Sequence, residues 1–198
     1  MLISDIELRE LQRKALRLIE KYIPAGSILH SYYTVHCICV AQKALEIAEI
    51  NPGIPIDPQK LYLSAMWHDI GICKVDSPEI GCNGDLPYLA HGYLGRKIIE
   101  NEGYHAIAPV CERHIGVGLS KADIKKLNMG LPERDTMPVT NEEKIVCLAD
   151  KFYSKTKNKL DIAKTKEEIL NKLSKHNKEE AFLSLWNEFN MDKSSEIK

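Results

Sequence analysis

The chain has no apolar run approaching the roughly 20 residues needed to cross a bilayer. Asp5, Glu7, Arg9 and Glu10 interrupt the amino terminus where the apolar stretch of a secretory signal would sit, so a cytoplasmic location without membrane contact is expected. Net charge is equally scarce. The 27 Lys and Arg against 28 Asp and Glu leave -1, so no overall field draws the chain to nucleic acid or an anionic surface, and any anion must be held locally. Strand signals are missing, with no convincing alternation of apolar and polar residues and no internal repeat. Cys37 and Cys39 form a C-x-C without a second pair at zinc-ribbon spacing. In a reducing compartment Cys37, Cys39, Cys73, Cys111 and Cys147 read as small core residues, and Cys82, in a Gly-rich loop, as exposed.

What is present is helix after helix, and the class read from the sequence is all-α. The 198 residues suffice for one core with a small appendage. Ser4-x-x-Glu7 is a capping box opening a helix to about Tyr22. Helices are expected from Ile28 to Ile50 and from an Asp57-Pro58 start to the Asp69-Ile70-Gly71 corner. An irregular stretch from Cys73 to Pro87 follows, of a length associated with functional lids. Further helices are expected from Tyr88 to Asn101, His105 to His114 and Ser120 to Asn128, with another after the Thr140-x-x-Glu143 box. Beyond Asn158 two Lys- and Glu-rich amphipathic helices close the chain. The organisation expected is an N-terminal helix (1–27) on a core domain (28–158), then a C-terminal helical appendage and tail (159–198) that packs on the domain or forms a homodimer contact.

Six ligand-type side chains stand in core-like surroundings on separate helical segments. His36 lies on an apolar helix, and His68-Asp69 ends Ala-Met-Trp-His-Asp-Ile-Gly. His91 stands in Ala-His-Gly-Tyr-Leu-Gly, His114 closes Cys-Glu-Arg-His-Ile-Gly, and Asp150 ends Val-Cys-Leu-Ala-Asp. A buried carboxylate is costly unless it is paired or metal-bound. Polar groups converging from facing helices are how a bundle builds a metal site. Imidazole with carboxylate suits Fe, Mn, Co, Ni or Zn better than calcium.

The order H…HD…H…H…D, from about Ile28 to Lys157, resembles the HD-domain superfamily of metal-dependent phosphohydrolases, and most of all its dinuclear branch. The resemblance implies two divalent transition metals, with Mg as a further candidate. His36, His68, Asp69 and Asp150 would hold the first, Asp69 would bridge, and His91 and His114 would complete the second. It also implies hydrolysis of a phosphate ester or anhydride in a nucleotide-like small molecule by a metal-bound hydroxide. Asp161, Glu167 and Glu168, interspersed in the Lys-rich tail, make a solvated face the expectation there, with no nucleic acid polymer as partner.

Relatives carrying HD-x-x-K have a lysine where this chain has Ile72, and the nearest lysine is Lys74. Lys74, Arg113 and Lys155 are candidate phosphate contacts; Arg113 could instead pair with Glu112 or another acid. Ser154, four residues after Asp150, is read as sharing its helix face. Tyr32, Tyr33 and His30 are read as entrance or core residues, and His105 and His176 as non-ligands. Of the acids in the irregular stretch (Asp76, Glu79, Asp85), none is singled out as the acid for a leaving group. Two other readings fit the same six residues: an HD-type di-iron oxygenase acting on a small polar substrate, and a non-catalytic nucleotide-binding regulator.

Overall fold

The computed structural model describes residues 2–128, 130–156 and 159–192. The helices begin where side chains satisfy their first N–H groups. Ser4 and Glu7 cap each other's backbone at the start of α1 (Asp5–Tyr22), Ser27 caps α2 (Ile28–Glu49), and Asp57 with Pro58 opens α3 (Pro58–Trp67). Helix α2 buries Tyr33, His36, Cys37, Val40, Ala41 and Ala44, and α3 and α7 (Asn141–Lys151) pack against it. Helix α1 lies across α3, where the Trp67 indole donates to Ala15 O at 3.2 Å.

After α3 the chain tightens into a 3-10 turn (Ile70–Lys74) that packs on α4 (His91–Asn101). The expected irregular stretch contains a small hairpin. Strand β1 (Asp76–Ser77) pairs antiparallel with β2 (Cys82–Asn83) around a 3-10 turn at Pro78–Ile80. That pairing draws Cys82 inward, so the cysteine expected to be exposed is buried, while Cys39 and Cys73 are only half-buried. Helix α5 spans just Pro109–Arg113, because Pro109 sets the first helical position, and α6 (Lys121–Leu127) follows the Ser120–Asp123 capping box. Helices α8 (Lys166–Leu173) and α9 (Glu179–Glu188) form the C-terminal appendage. It packs on the core: Trp186 stacks on Phe152 with ring centroids 6.0 Å apart, and the Asn51 side chain donates to Phe189 O at 2.7 Å. Residue 158, at the expected boundary, and the tail from 193 lie outside the described residues. No helix among the described residues is long and apolar enough to cross a membrane.

One contact sets the geometry at the centre. Gly71 stands so close to α4 that a Cβ there would lie 2.0 Å from His91 O and 2.4 Å from Gly95 N. The backbone following Asp69 and the backbone carrying His91 thus touch directly. Gly71→Ala must push the 3-10 turn off α4, at an expected cost of about 2–3 kcal/mol. A melting temperature lowered by roughly 5–10 °C is the expected readout; an unchanged value would show that the contact is looser than described.

Candidate metal centre

Five helices each deliver a side chain to one point. His36 projects from the middle of α2, and His68 and Asp69 follow the last residue of α3. His91 opens α4, His114 follows the last residue of α5, and Asp150 lies one residue before the end of α7. The two groups of donors are His36, His68, Asp69 and Asp150, and Asp69, His91 and His114. Asp69 belongs to both, and its two oxygens divide the work. Oδ2 lies 3.3 Å from His36 Nε2 and 3.1 Å from His68 Nε2. Oδ1 lies 3.3 Å from His91 Nε2 and 3.4 Å from His114 Nε2. Asp150 turns Oδ1 to His36 at 3.1 Å and to His68 at 3.5 Å, while its Oδ2 accepts from Lys151 Nζ at 2.7 Å.

Three of the imidazoles are held by their other nitrogen. His68 Nδ1 lies 2.7 Å from Ala65 O, His91 Nδ1 2.5 Å from Tyr88 O, and His114 Nδ1 3.2 Å from Val110 O. A proton on Nδ1, donated to a carbonyl, leaves the Nε2 lone pair facing Asp69, which is how metal-binding histidines are commonly fixed. Buried Nε2 of His36 and His68 and both oxygens of Asp69 have no hydrogen bond of acceptable geometry. Lone pairs facing each other at these distances repel unless a cation or a proton lies between them. Ions with bonds of about 2.0–2.2 Å set neighbouring donors about 3.0–3.5 Å apart, and the observed spacings fall in that range. The residues therefore fit divalent metal.

Both carboxylates of the cluster are held ionised. Burial raises the Asp69 carboxyl, but Lys155 and His68 outweigh it and hold the group well below the usual carboxylate range. Asp150 behaves alike, with Lys151 and His36 opposing burial. Burial pushes His114 down to about 4, which keeps that ring neutral and its lone pair free.

The chain matches the HD domain family over residues 33–154, more than half its length. It belongs to the HD domain family. An uncharacterised protein of Methanocaldococcus jannaschii is 34% identical over 125 residues, covering 62% of this chain and 66% of that one. Two proteins named tRNA (cytidine(56)-2'-O)-methyltransferase also match. The one from Picrophilus torridus is 32% identical over 60% of this chain, and the one from Thermoplasma volcanium 27% identical over 72%. The matched regions make up 30% and 36% of those two proteins, so the chain spans about a third of each and just under two thirds of the first relative. No solved structure matches.

Around the HD cluster the remaining candidates separate. Lys155 reaches it, with Nζ 2.5 Å from Asp69 Oδ2. It does so from outside the helix, because α7 ends at Lys151, so the expected helical path through Ser154 to Lys155 is not followed. The turn is held from across the chain, where Lys164 Nζ donates to Lys151 O and Tyr153 O at 3.3 and 2.6 Å. Ser154 still lines the cavity over the cluster. Arg113 does not reach that cavity; its guanidinium donates to both oxygens of Glu143 at 2.8 Å, the ion-pair alternative with a different acid. Lys74 is exposed and lines a separate depression with Asp85 and Lys97, while Ile72 is buried in the core. Tyr33 is a core residue whose hydroxyl donates to Met66 O at 2.9 Å, and His30 stands 3.7 Å from Glu20. Asp76 and Glu79 line the cavity.

Two participants escape sequence reasoning. Tyr88 orients His91 through its carbonyl and sets its ring 4.8 Å from the imidazole, and Lys151 ties Asp150 to His114 O. Contacts made through backbone carbonyls leave no mark in residue type, although the i−3 spacing of Tyr88 from His91 is visible once the helix start is known. Replacing Arg113 by Ala should cost about 1–2 kcal/mol by leaving Glu143 without its cation. Turnover should stay within about threefold, since a lost phosphate contact would cost far more; a collapse of kcat/KM in a folded variant would restore Arg113 to the site.

Proposed function

We propose that this HD domain protein hydrolyses a phosphate ester or anhydride in a nucleotide-like substrate, with Asp69 shared between two divalent metals. The observation that supports this reading best is the division of the Asp69 oxygens between two sets of imidazoles. His36, His68 and Asp150 would complete one set and His91 and His114 the other. Two metals on a shared carboxylate polarise a phosphoryl oxygen and bring the pKa of a bound water towards neutrality.

The protein's own groups then have separate tasks. A cavity of about 1310 Å³ opens over His36, His91, His114 and Asp150, while Asp69 and His68 have no exposed surface, which keeps solvent from the shared carboxylate. Lys155 would meet the phosphate. Its ammonium lies beside Asp69 Oδ2 and lines the same cavity, where it would offer an anion a charge-assisted contact. Burial lowers Lys155, yet Asp69 and Tyr88 hold it well above its ordinary value, so it stays cationic. Lys151 keeps one oxygen of Asp150 occupied and directs the other inward. Lys74, a candidate phosphate contact, and Tyr32 and Tyr33, candidate entrance residues, do not line the cavity.

The direct test is a panel of nucleotides and phosphate esters with protein loaded separately with Mn, Co, Fe, Ni, Zn or Mg. Lys155→Met should lower kcat/KM about a hundredfold, the scale of one lost phosphate-binding charge, while metal content stays that of the wild type. If Lys155→Met leaves kcat/KM unchanged, or no phosphate compound is turned over with any metal, the reading fails.

A further inference from the structure

The cavity is larger than its chemistry requires. Ligand pockets for drug-sized molecules run to about 300–1,000 Å³, and this one holds about 1310 Å³. The surplus space lies towards the C-terminal appendage. Its lining passes from the cluster through Ser154 and Lys155 to Lys172 of α8, Lys175 in the turn that follows, and Lys126 of α6. These last three are exposed, and among the described residues none has a carboxylate within ion-pair range. Lys178 beside them does have one. It pairs with Asp123 at 2.8 Å, and that pair ties α6 to the appendage. Lys172 and Lys175 are three residues apart and so share a helical face.

Burial and the charge of Lys172 push Lys164 down to about 8. The cavity acids that lack a lysine partner, Asp76 and Glu79, belong to the hairpin segment, which packs on the start of α2. One part of the lining is therefore basic and uncompensated, and the reacting centre lies at another part of the same space. Concave surfaces of one charge sign concentrate counter-charged ligands.

Resting on the phosphate-hydrolase reading above, we infer that Lys126, Lys172 and Lys175 bind a second phosphate of the substrate, one nucleotide unit beyond the phosphate held at the cluster. The substrate class is then a nucleotide with two separated phosphates, and the appendage determines that specificity. Metal-dependent chemistry belongs to the cluster alone.

Titration calorimetry with Mn-loaded protein separates the two claims, using slowly hydrolysed 5′-phosphorothioates of AMP and of the dinucleotide pApA as probes. The dinucleotide should bind about tenfold more tightly to the wild type, the worth of one charge-assisted contact. Lys172→Glu/Lys175→Glu should abolish that advantage and flatten the salt dependence of dinucleotide binding, with AMP affinity kept within about twofold. Lys172→Arg/Lys175→Arg should behave as the wild type. Unchanged dinucleotide binding in the Glu variant, or an equal loss for both probes, would overturn the inference. AMP binding that ignores Mn would instead count against phosphate at the cluster, and dinucleotide discrimination by the lysines would still be read separately.

Discussion

A carboxylate with no exposed surface must be compensated by cations or hydrogen-bond donors, and Asp69 is such a group. One oxygen faces His36 and His68, and the other faces His91 and His114. Every helix that approaches this point does so with a polar side chain where the pattern of its neighbours calls for an apolar one. Helix α2 brings His36 amid Cys37, Val40 and Ala41, and α7 brings Asp150 after Val146, Cys147, Leu148 and Ala149. Gly71 allows the turn after Asp69 to touch α4, which fixes where His91 enters. Separating these helices would leave a buried charge without partners, so the site and the fold depend on one another.

Much of this was legible in the sequence. The capping boxes at Ser4, Ser120 and Thr140 mark helix starts by a local hydrogen-bond pattern that needs no tertiary information. The six polar residues stand out because they interrupt apolar helices, and the structure brings all six together. Less visible was anything decided by a distant partner. Arg113 adjoins His114 in sequence, yet Glu143, thirty residues on, takes its guanidinium. Lys74 follows the HD pair closely, but the 3-10 turn carries it to another face. Lys155 was expected on the Asp150 helix and reaches Asp69 only because that helix stops early, with Lys164 holding the turn. Cys82 is buried by two residues of strand, too short to leave an alternation.

The appendage shows the same contrast. Composition alone presents α8 and α9 as amphipathic helices rich in Lys and Glu, with a solvated basic face, that pack on the domain or on a second copy. In the structure Phe182, Trp186 and Phe189 are buried, and Lys172 of α8 and Lys175 of the turn after it face the cavity over the cluster. Side chains that read as a solvated face are thus placed within the same space as the metal donors. Periodicity reports which face of a helix is wet, but not whether that water is bulk solvent or the interior of a cleft.

The shared role of Asp69 is tested most directly by counting metal in the purified protein with mass spectrometry, for the wild type and for Asp69→Ala. The expected result is about two transition-metal ions per chain in the wild type, as in two-metal hydrolytic sites, and almost none in the variant. A folded Asp69→Ala protein that keeps its full complement of metal would contradict it.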